Sequence, residues 1–408
     1  MRYSFDRIVI EFFRLFDRYV SKKYVTEENK FIRERKMTQK EYMAHIITQR
    51  SCTSYIETVR FFTIMMKNDF KTISSQAIGK QRMFINPQAF IDMNECFIDN
   101  LYNKYSGFSK LKGYIVSACD GSIVDIPNVT LTRIQFPVGD EHLLKEKRIR
   151  ARVSCFLDVH SKHILTAKIV ETTVNEIDLA IEHLKNINER FNIEKLITVY
   201  DRGYASIELM AKTMDLNSKF LIRLPKNVFK HLIKQMKTND EIIKINLTNN
   251  RLSHFRDKNL REKTRKMGRL DIRIAIVDIE NKEPEILATN LTTEEFTTEE
   301  LKELYNKRWA VETRFDRLKN LIEIEDFSGI RRPIIEQDFY AHIFVYNLAI
   351  TIKKQAEYHI TRTPRNKYEK ITYQSNFAKI IGNIYLFFFE LILWNATKKR
   401  TNNKFYPK

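Results

Sequence analysis

An α/β core set between two helical ends is the architecture that this 408-residue sequence predicts. Three observations carry the prediction. Between Lys112 and Leu224, short runs rich in β-branched and aromatic residues alternate with stretches of helical periodicity. Before that stretch and after about residue 336, apolar residues recur at helical spacing instead. Glycine and proline number only 9 and 8 in the whole chain, so long flexible linkers are not expected.

Residues 1–110 read as helical. Ile8, Phe12, Phe13, Leu15 and Phe16 make an apolar stripe in a first helix. Tyr55–Met66 and Ser74–Phe84 read as two more, joined by the polar link Lys67–Thr72. Ser74 and Ser75 are candidate caps. Gln76, Lys80, Gln81 and Arg82 are expected to face outward, and their types read grooves and contact phosphates. A helix-turn-helix-like unit and an ordinary helical bundle account for this region equally.

The core follows. Tyr114–Cys119 is an apolar strand expected to end at Asp120. Ala151–Val159 and Ile164–Val170 are strands joined by the turn His160–His163. Asn175–Ile187 reads as a helix, Leu196–Tyr200 as a strand ending at Asp201, Ala205–Met214 as a helix and Phe220–Leu224 as a strand. Pro225–Glu285 interrupts this alternation, with strands expected at Ile242–Leu247 and Asp271–Asp278 and a return to the core at Glu285–Leu291. Between the first two lies a basic tract: Arg251, Arg256, Lys258, Arg261, Lys263, Arg265, Lys266 and Arg269. It suits a DNA backbone, and a solvated loop is the plainer alternative. The expected regions are therefore a helical region (1–110), the core (111–225 and 286–335), a basic insertion (226–285) and a helical C-terminal region (336–408).

Net charge is +19, which points to a polyanionic partner, nucleic acid before an anionic membrane. The longest apolar run, Ile380–Trp394, contains Asn383 and Glu390 and is too short to span a bilayer. Arg2, Asp6 and Arg7 near the start do not suit a secretory signal. The cysteines Cys52, Cys96, Cys119 and Cys155 are scattered, which disfavours a zinc site or disulfide framework and gives the chain a cytoplasmic character. His160 and His163 are the only near pair of histidines with ligand potential, and they flank a turn.

Leu304–Lys319 reads as one helix with an apolar stripe, Leu304, Val311, Phe315 and Leu318, beside a polar one, Tyr305, Arg308, Glu312 and Lys319. A carboxylate suits a hard cation, and guanidinium and ammonium suit phosphate. The spacing Y-x2-R-x3-E-x6-K resembles the signature of bacterial insertion-sequence transposases of the DDE type, in insertion sequence family four. Asp120-Gly121-Ser122, Tyr200-Asp201-Arg202-Gly203-Tyr204 and the approach Leu287–Leu291, Leu301, Arg308–Trp309 match the same group in the same order.

The resemblance implies an RNase H-like core in which the strands bearing Asp120 and Asp201 lie side by side, a helical DNA-binding region over 1–110 and a β-rich insertion over 226–285. It implies that Asp120, Asp201 and Glu312 hold Mg²⁺, with Mn²⁺ as substitute. Cleavage and joining of double-stranded DNA, at element terminal repeats and at the target, would follow, with a homodimer pairing two ends. Tyr305, Arg308 and Lys319 would position the strand. Hairpin-forming members need an aromatic to stack a flipped base, and the insertion offers no Trp or Tyr, only Phe220, Phe229, Phe255 and Phe296 with its flanks. Trp309 reads as a core or supporting aromatic. Asp125 reads as structural. A nuclease without strand transfer and a non-catalytic DNA-binding descendant are the competing readings.

Overall fold

The computed structural model describes residues 5–32, 36–49, 52–65, 73–104, 109–138, 148–191, 195–279, 283–308, 324–362 and 376–384. The chain divides into two compact units, one made of 107–123 and 152–315, the other of 1–106, 124–151 and 316–408.

The first unit is built on a nine-stranded sheet. Its strands are β1 Lys110–Leu111, β2 Tyr114–Asp125, β3 Arg150–Asp158, β4 Ile164–Glu171, β5 Leu196–Tyr200, β6 Lys219–Arg223, β7 Asp240–Asn246, β8 Arg269–Val277 and β9 Glu285–Thr289. The order across the sheet is β4-β3-β2-β5-β6-β9-β8-β7, with β1 paired to β2. β2, β5 and β6 run parallel, whereas β9 joins β6 antiparallel and β8 and β7 continue antiparallel. The order β4-β3-β2-β5-β6, with a helix between β4 and β5, is an RNase H-like core.

Burial explains why these runs become strands. All five residues of β5 are buried, as a central parallel strand covered on both faces requires. β7 buries Ile243 and Ile245 and turns Ile242 and Lys244 outward, the alternation of a half-covered strand. Buried hydroxyls tie β2 to β5, where Ser117 and Thr198 lie 3.0 Å apart. The helix Glu176–Phe191 buries Leu179, Ala180, His183, Leu184 and Ile187 on one stripe and packs on β4 and on the helix Ile207–Asp215.

Two expectations about this unit change. β2 does not end at Asp120 but runs on to Asp125, so Asp120 lies inside a strand. Most of the basic tract is helical rather than a loop, in Asn249–Leu252 and Lys258–Met267, with Arg256 between the two helices and Arg269 at the start of β8. The second is capped by the Asp257 side chain on the Leu260 N–H at 3.0 Å and closed by Gly268 at φ 73°. β7, β8 and β9 extend the core sheet itself.

The second unit is helical. Phe5–Tyr19, Gln88–Lys104 and the 31-residue helix Arg332–Arg362 pack together, with Phe12 and Phe97 both against Phe344. The two chain ends that read as separate helical regions thus share one unit. Ser74 caps Ser75–Arg82 by accepting from the Ala77 N–H. Gln76 and Lys80 face outward as expected, but Arg82 does not. It is buried, its guanidinium donating to Gln337 at 3.0 Å and pairing with Asp338, partners 255 and 256 residues away. Among the described residues no helix is long and apolar enough to cross a membrane. The link Lys67–Thr72, Trp309, Glu312, Lys319 and the tail beyond residue 384 lie outside the described residues.

Candidate active site

The backbone register assembles the site. The β2–β5 ladder pairs Ala118 with Val199, and two residues further along each chain come Asp120 and Asp201. The β5–β6 ladder pairs Tyr200 with Ile222, and one residue further come Asp201 and Arg223. Acid, acid and base therefore stand in a row at the carboxyl-terminal edge of the parallel strands, the edge where open α/β sheets place their ligands.

Local hydrogen bonds fix the two aspartates. Asp201 leads into a 3₁₀ turn, Arg202–Tyr204, and its Oδ1 accepts from the Gly203 N–H at 2.7 Å. A Cβ on residue 203 would lie 3.1 Å from that oxygen, so glycine preserves the contact. Asp120 Oδ1 accepts from the Gly121 N–H at 3.0 Å.

Two further polar groups close over Gly121. A Cβ built there would sit 3.3 Å from Glu176 Oε1 and 3.5 Å from the Tyr204 hydroxyl. Glu176 opens the helix after β4, where Asn175 caps by accepting from the Ile177 N–H at 2.8 Å. Its Oε1 accepts from the Arg152 guanidinium. Tyr204 is buried, with the Cys119 thiol beside its hydroxyl. Burial holds that phenol well above its ordinary value, reinforced by Cys119, Glu176, Asp120 and Asp201. Sequence reasoning assigned no role to Glu176 or Tyr204. The one available signal was an acid on the first turn of the helix between the two aspartate strands.

Beneath the edge the chemistry is quiet. Cys119 is pushed up to about 12 by burial, and His183, 3.1 Å from Ser154, is lowered by burial to about 3. A thiol that stays protonated and an imidazole that stays neutral make poor nucleophile and acid. These groups pack the floor of the site.

Beyond Arg223 lie Tyr305 and Arg308 of the sequence signature. The helix that carries Tyr305 begins earlier than expected, at Thr298, through a capping box between Thr297 and Glu300. Within the described residues it spans Thr298–Asn306, and the Arg308 N–H closes its end on the Tyr305 carbonyl at 2.9 Å. Tyr305 is 1% exposed and Arg308 6%, so they do not form an open polar stripe. The Arg308 guanidinium lies 5.4 Å from the centre of the Tyr305 ring. Burial raises the Tyr305 phenol, with Arg308 and Arg223 opposing. Arg223 itself pairs with Glu285 at 2.9 Å.

On the basic helix and its flanks, Arg256 pairs with Asp178 and Lys263 with Asp215. Arg265 pairs with Glu262 at 2.6 Å and Arg269 with Asp271 at 3.3 Å. Lys258 and Lys266 are exposed, with no ion pair among the described residues, and Arg261 is half-buried. Of the phenylalanines weighed for base stacking, Phe220, Phe255 and Phe296 are buried and Phe229 is half-buried. Among the described residues no three His, Cys, Asp or Glu side chains are gathered closely enough to hold a cation unaided.

An RNase H-like sheet with two aspartates aligned at the end of its central parallel pair defines a class of enzyme core. The Transposase DDE domain family model matches residues 116–348, more than half of the chain, and the chain belongs to that family. It is 22% identical over 262 residues to the protein described as Probable transposase for insertion sequence element IS5377 from Geobacillus stearothermophilus. That match covers 60% of this chain and 63% of the relative's length. The solved structure of the piggyBac transposase synaptic complex with hairpin DNA aligns over 96% of this chain and 80% of its own, at 9% identity and a TM-score of 0.47.

Proposed function

We propose that the protein is the transposase of a bacterial insertion sequence of the family-four type, cutting element ends and joining them to target DNA. The observation that carries this is the register setting Asp120 and Asp201 together at the edge of β2 and β5, in a chain of the DDE family. Two hard carboxylates, each with one oxygen fixed by a backbone N–H, fit a divalent cation, Mg²⁺ or Mn²⁺, with Glu312 as the third carboxylate. A cation held there would activate the attacking oxygen and stabilise the leaving one.

The chain's own groups do the rest. Asp201, pinned by Gly203, and Asp120, pinned by Gly121, present fixed oxygens, which lowers the cost of organising the site. Lys319 would hold the strand through its phosphates, and Arg308, buried against Tyr305, would support the site rather than meet the strand. Lys258, Arg261 and Lys266 add backbone contacts, and Arg256, Lys263, Arg265 and Arg269 add charge already shared with carboxylates. Two chains would pair two ends in the cytoplasm, on chromosomal DNA.

The test is an assay on labelled DNA carrying the inverted repeats that flank the reading frame, with a target duplex, in Mg²⁺ and in EDTA. Cleaved ends and joined products in Mg²⁺ alone are expected. Cleavage without joined products would favour a nuclease. Binding without either reaction would favour a non-catalytic descendant.

A further inference from the structure

Much of the charge on the basic helix and its flanks is answered inside the protein. A second basic segment keeps more of its charge. Pro225–Asn239, between β6 and β7, holds Lys226, Lys230, Lys234 and Lys237 and no carboxylate. Its place in the fold follows from the ladders. Arg223 pairs with Leu287, Leu287 with Ala275 and Ala275 with Asp240, so β6 ends level with the start of β7. β6 runs toward the edge that carries Asp201, and β7 runs away from it. The segment therefore spans that same edge, across the ends of β9 and β8. Three strand spacings make this about 14 Å. The connection from β7 to β8, which carries the basic helix, leaves and rejoins the sheet at the opposite edge.

The segment is fixed at both ends. The Leu224 N–H donates to the Ile286 carbonyl at 2.8 Å, and the Asn239 carbonyl accepts from the Ile276 N–H at 2.7 Å. Lys226 pairs with Glu283, and Glu241 accepts from the Lys237 N–H at 2.6 Å. Phe229, at φ 52°, turns the chain into the short helix Lys230–Ile233, and Lys234 continues it in right-handed geometry. Lys230 and Lys234 thus stand one turn apart on one helix face, about 6 Å along its axis. Both are exposed, and among the described residues neither side chain makes a hydrogen bond or an ion pair.

We infer that Lys230 and Lys234 bind the DNA backbone beside the bond being cut, holding the duplex along the edge that Asp120 and Asp201 share. Ammonium groups are point charges that meet phosphate oxygens without reading the bases. Two cations left unpaired at a fixed place keep their charge for a polyanion. Lys237, close to Glu241, keeps less. The inference rests on the reading of Asp120 and Asp201 as the cleavage centre.

The test compares wild type with two double variants, Lys230→Gln with Lys234→Gln and Lys230→Arg with Lys234→Arg. Fluorescence anisotropy in EDTA gives the affinity for end DNA and for an unrelated duplex over a range of salt, and thermal melting checks the fold. The glutamine variant should bind both duplexes about tenfold more weakly and flatten the salt dependence by about two units of log slope. The arginine variant keeps the charge and should stay within about twofold of wild type on both. Hydroxyl-radical footprints should show the glutamine variant losing backbone protection next to the cleaved bond and keeping it elsewhere.

Unchanged affinity and slope in the glutamine variant would overturn the inference and leave a solvated segment. A loss confined to end DNA, an equal loss in the arginine variant, or protection lost only away from the cleaved bond would overturn it too. Failure of the underlying reading would look different: wild type would leave labelled end DNA uncut in Mg²⁺, or cut it equally well in EDTA.

Discussion

The basic helix Lys258–Met267 and Asp201 at the end of β5 both carry charge, and they hold it in opposite ways. On the helix and its flanks, Arg256, Lys263, Arg265 and Arg269 are all answered by carboxylates of the same unit. At the edge, Asp201 is held by a backbone N–H, and no cation pairs with it among the described residues. Counting charges makes the basic helix the more conspicuous feature. Counting partners reverses the ranking, because charge already met inside the protein is less available to a ligand, and charge left outward at a fixed place is ready for one.

Arg82 is the extreme case of charge answered from within. Its side chain is 3% exposed, and that of Asp338 is 1%. Arg82→Ala should therefore destabilise the protein by about 3–5 kcal/mol, read from the denaturant midpoint. A loss below about 1 kcal/mol, with weaker DNA binding, would return Arg82 to the surface role that its sequence context suggested.

A smaller effect comes from the floor of the aspartate edge. His183 has a folded value of about 3, below its ordinary 6.5, because burial disfavours the imidazolium. As pH falls below about 6.5 the unfolded chain takes the proton first, so stability declines between pH 6.5 and 3. The slope is up to roughly 1.4 kcal/mol per pH unit for each such histidine. His45, also lowered by burial to about 3, adds to it. His183→Gln should flatten this dependence, and an unchanged pH profile would show that His183 is not held neutral.

The smallest effects sharpen the comparison most. Replacing Lys258, Arg261 and Lys266 by Gln should weaken DNA binding for all sequences alike. The salt dependence should flatten by about one unit of log slope for each phosphate that is no longer neutralised. Replacing Arg256 and Lys263 should change the slope less, and stability by under about 1 kcal/mol, because these are exposed pairs. Equal slopes for the two sets would mean that internal pairing does not withhold charge from DNA.

The sequence made the central strands readable because they are buried on both faces. Leu196–Tyr200 is an apolar run broken only by Thr198, and it is β5 without a residue of difference. The placement of Asp201 came with it. The length of β2 was hidden, because Asp120, Gly121 and Ser122 look like a strand end although the backbone continues through them. Arg82 misled because its partners lie some 255 residues away, and no local pattern marks a buried cation. Glu176 was invisible for the same reason: only the folded sheet brings its helix over Gly121. The start of the helix that carries Tyr305 is written in Thr297 and Glu300, which form a capping box three residues apart.

The central claim, that Asp120 and Asp201 form one cation-dependent cleavage centre, is tested most directly by cleavage of labelled end DNA in Mg²⁺ by wild type, Asp120→Ala, Asp201→Ala and the double variant. Each single change should lower the rate about a thousandfold or more, and the double variant should add little, because the two act as a unit. Binding of end DNA should survive in all of them. Near-wild-type cleavage by either single variant, with its fold intact, would contradict the claim.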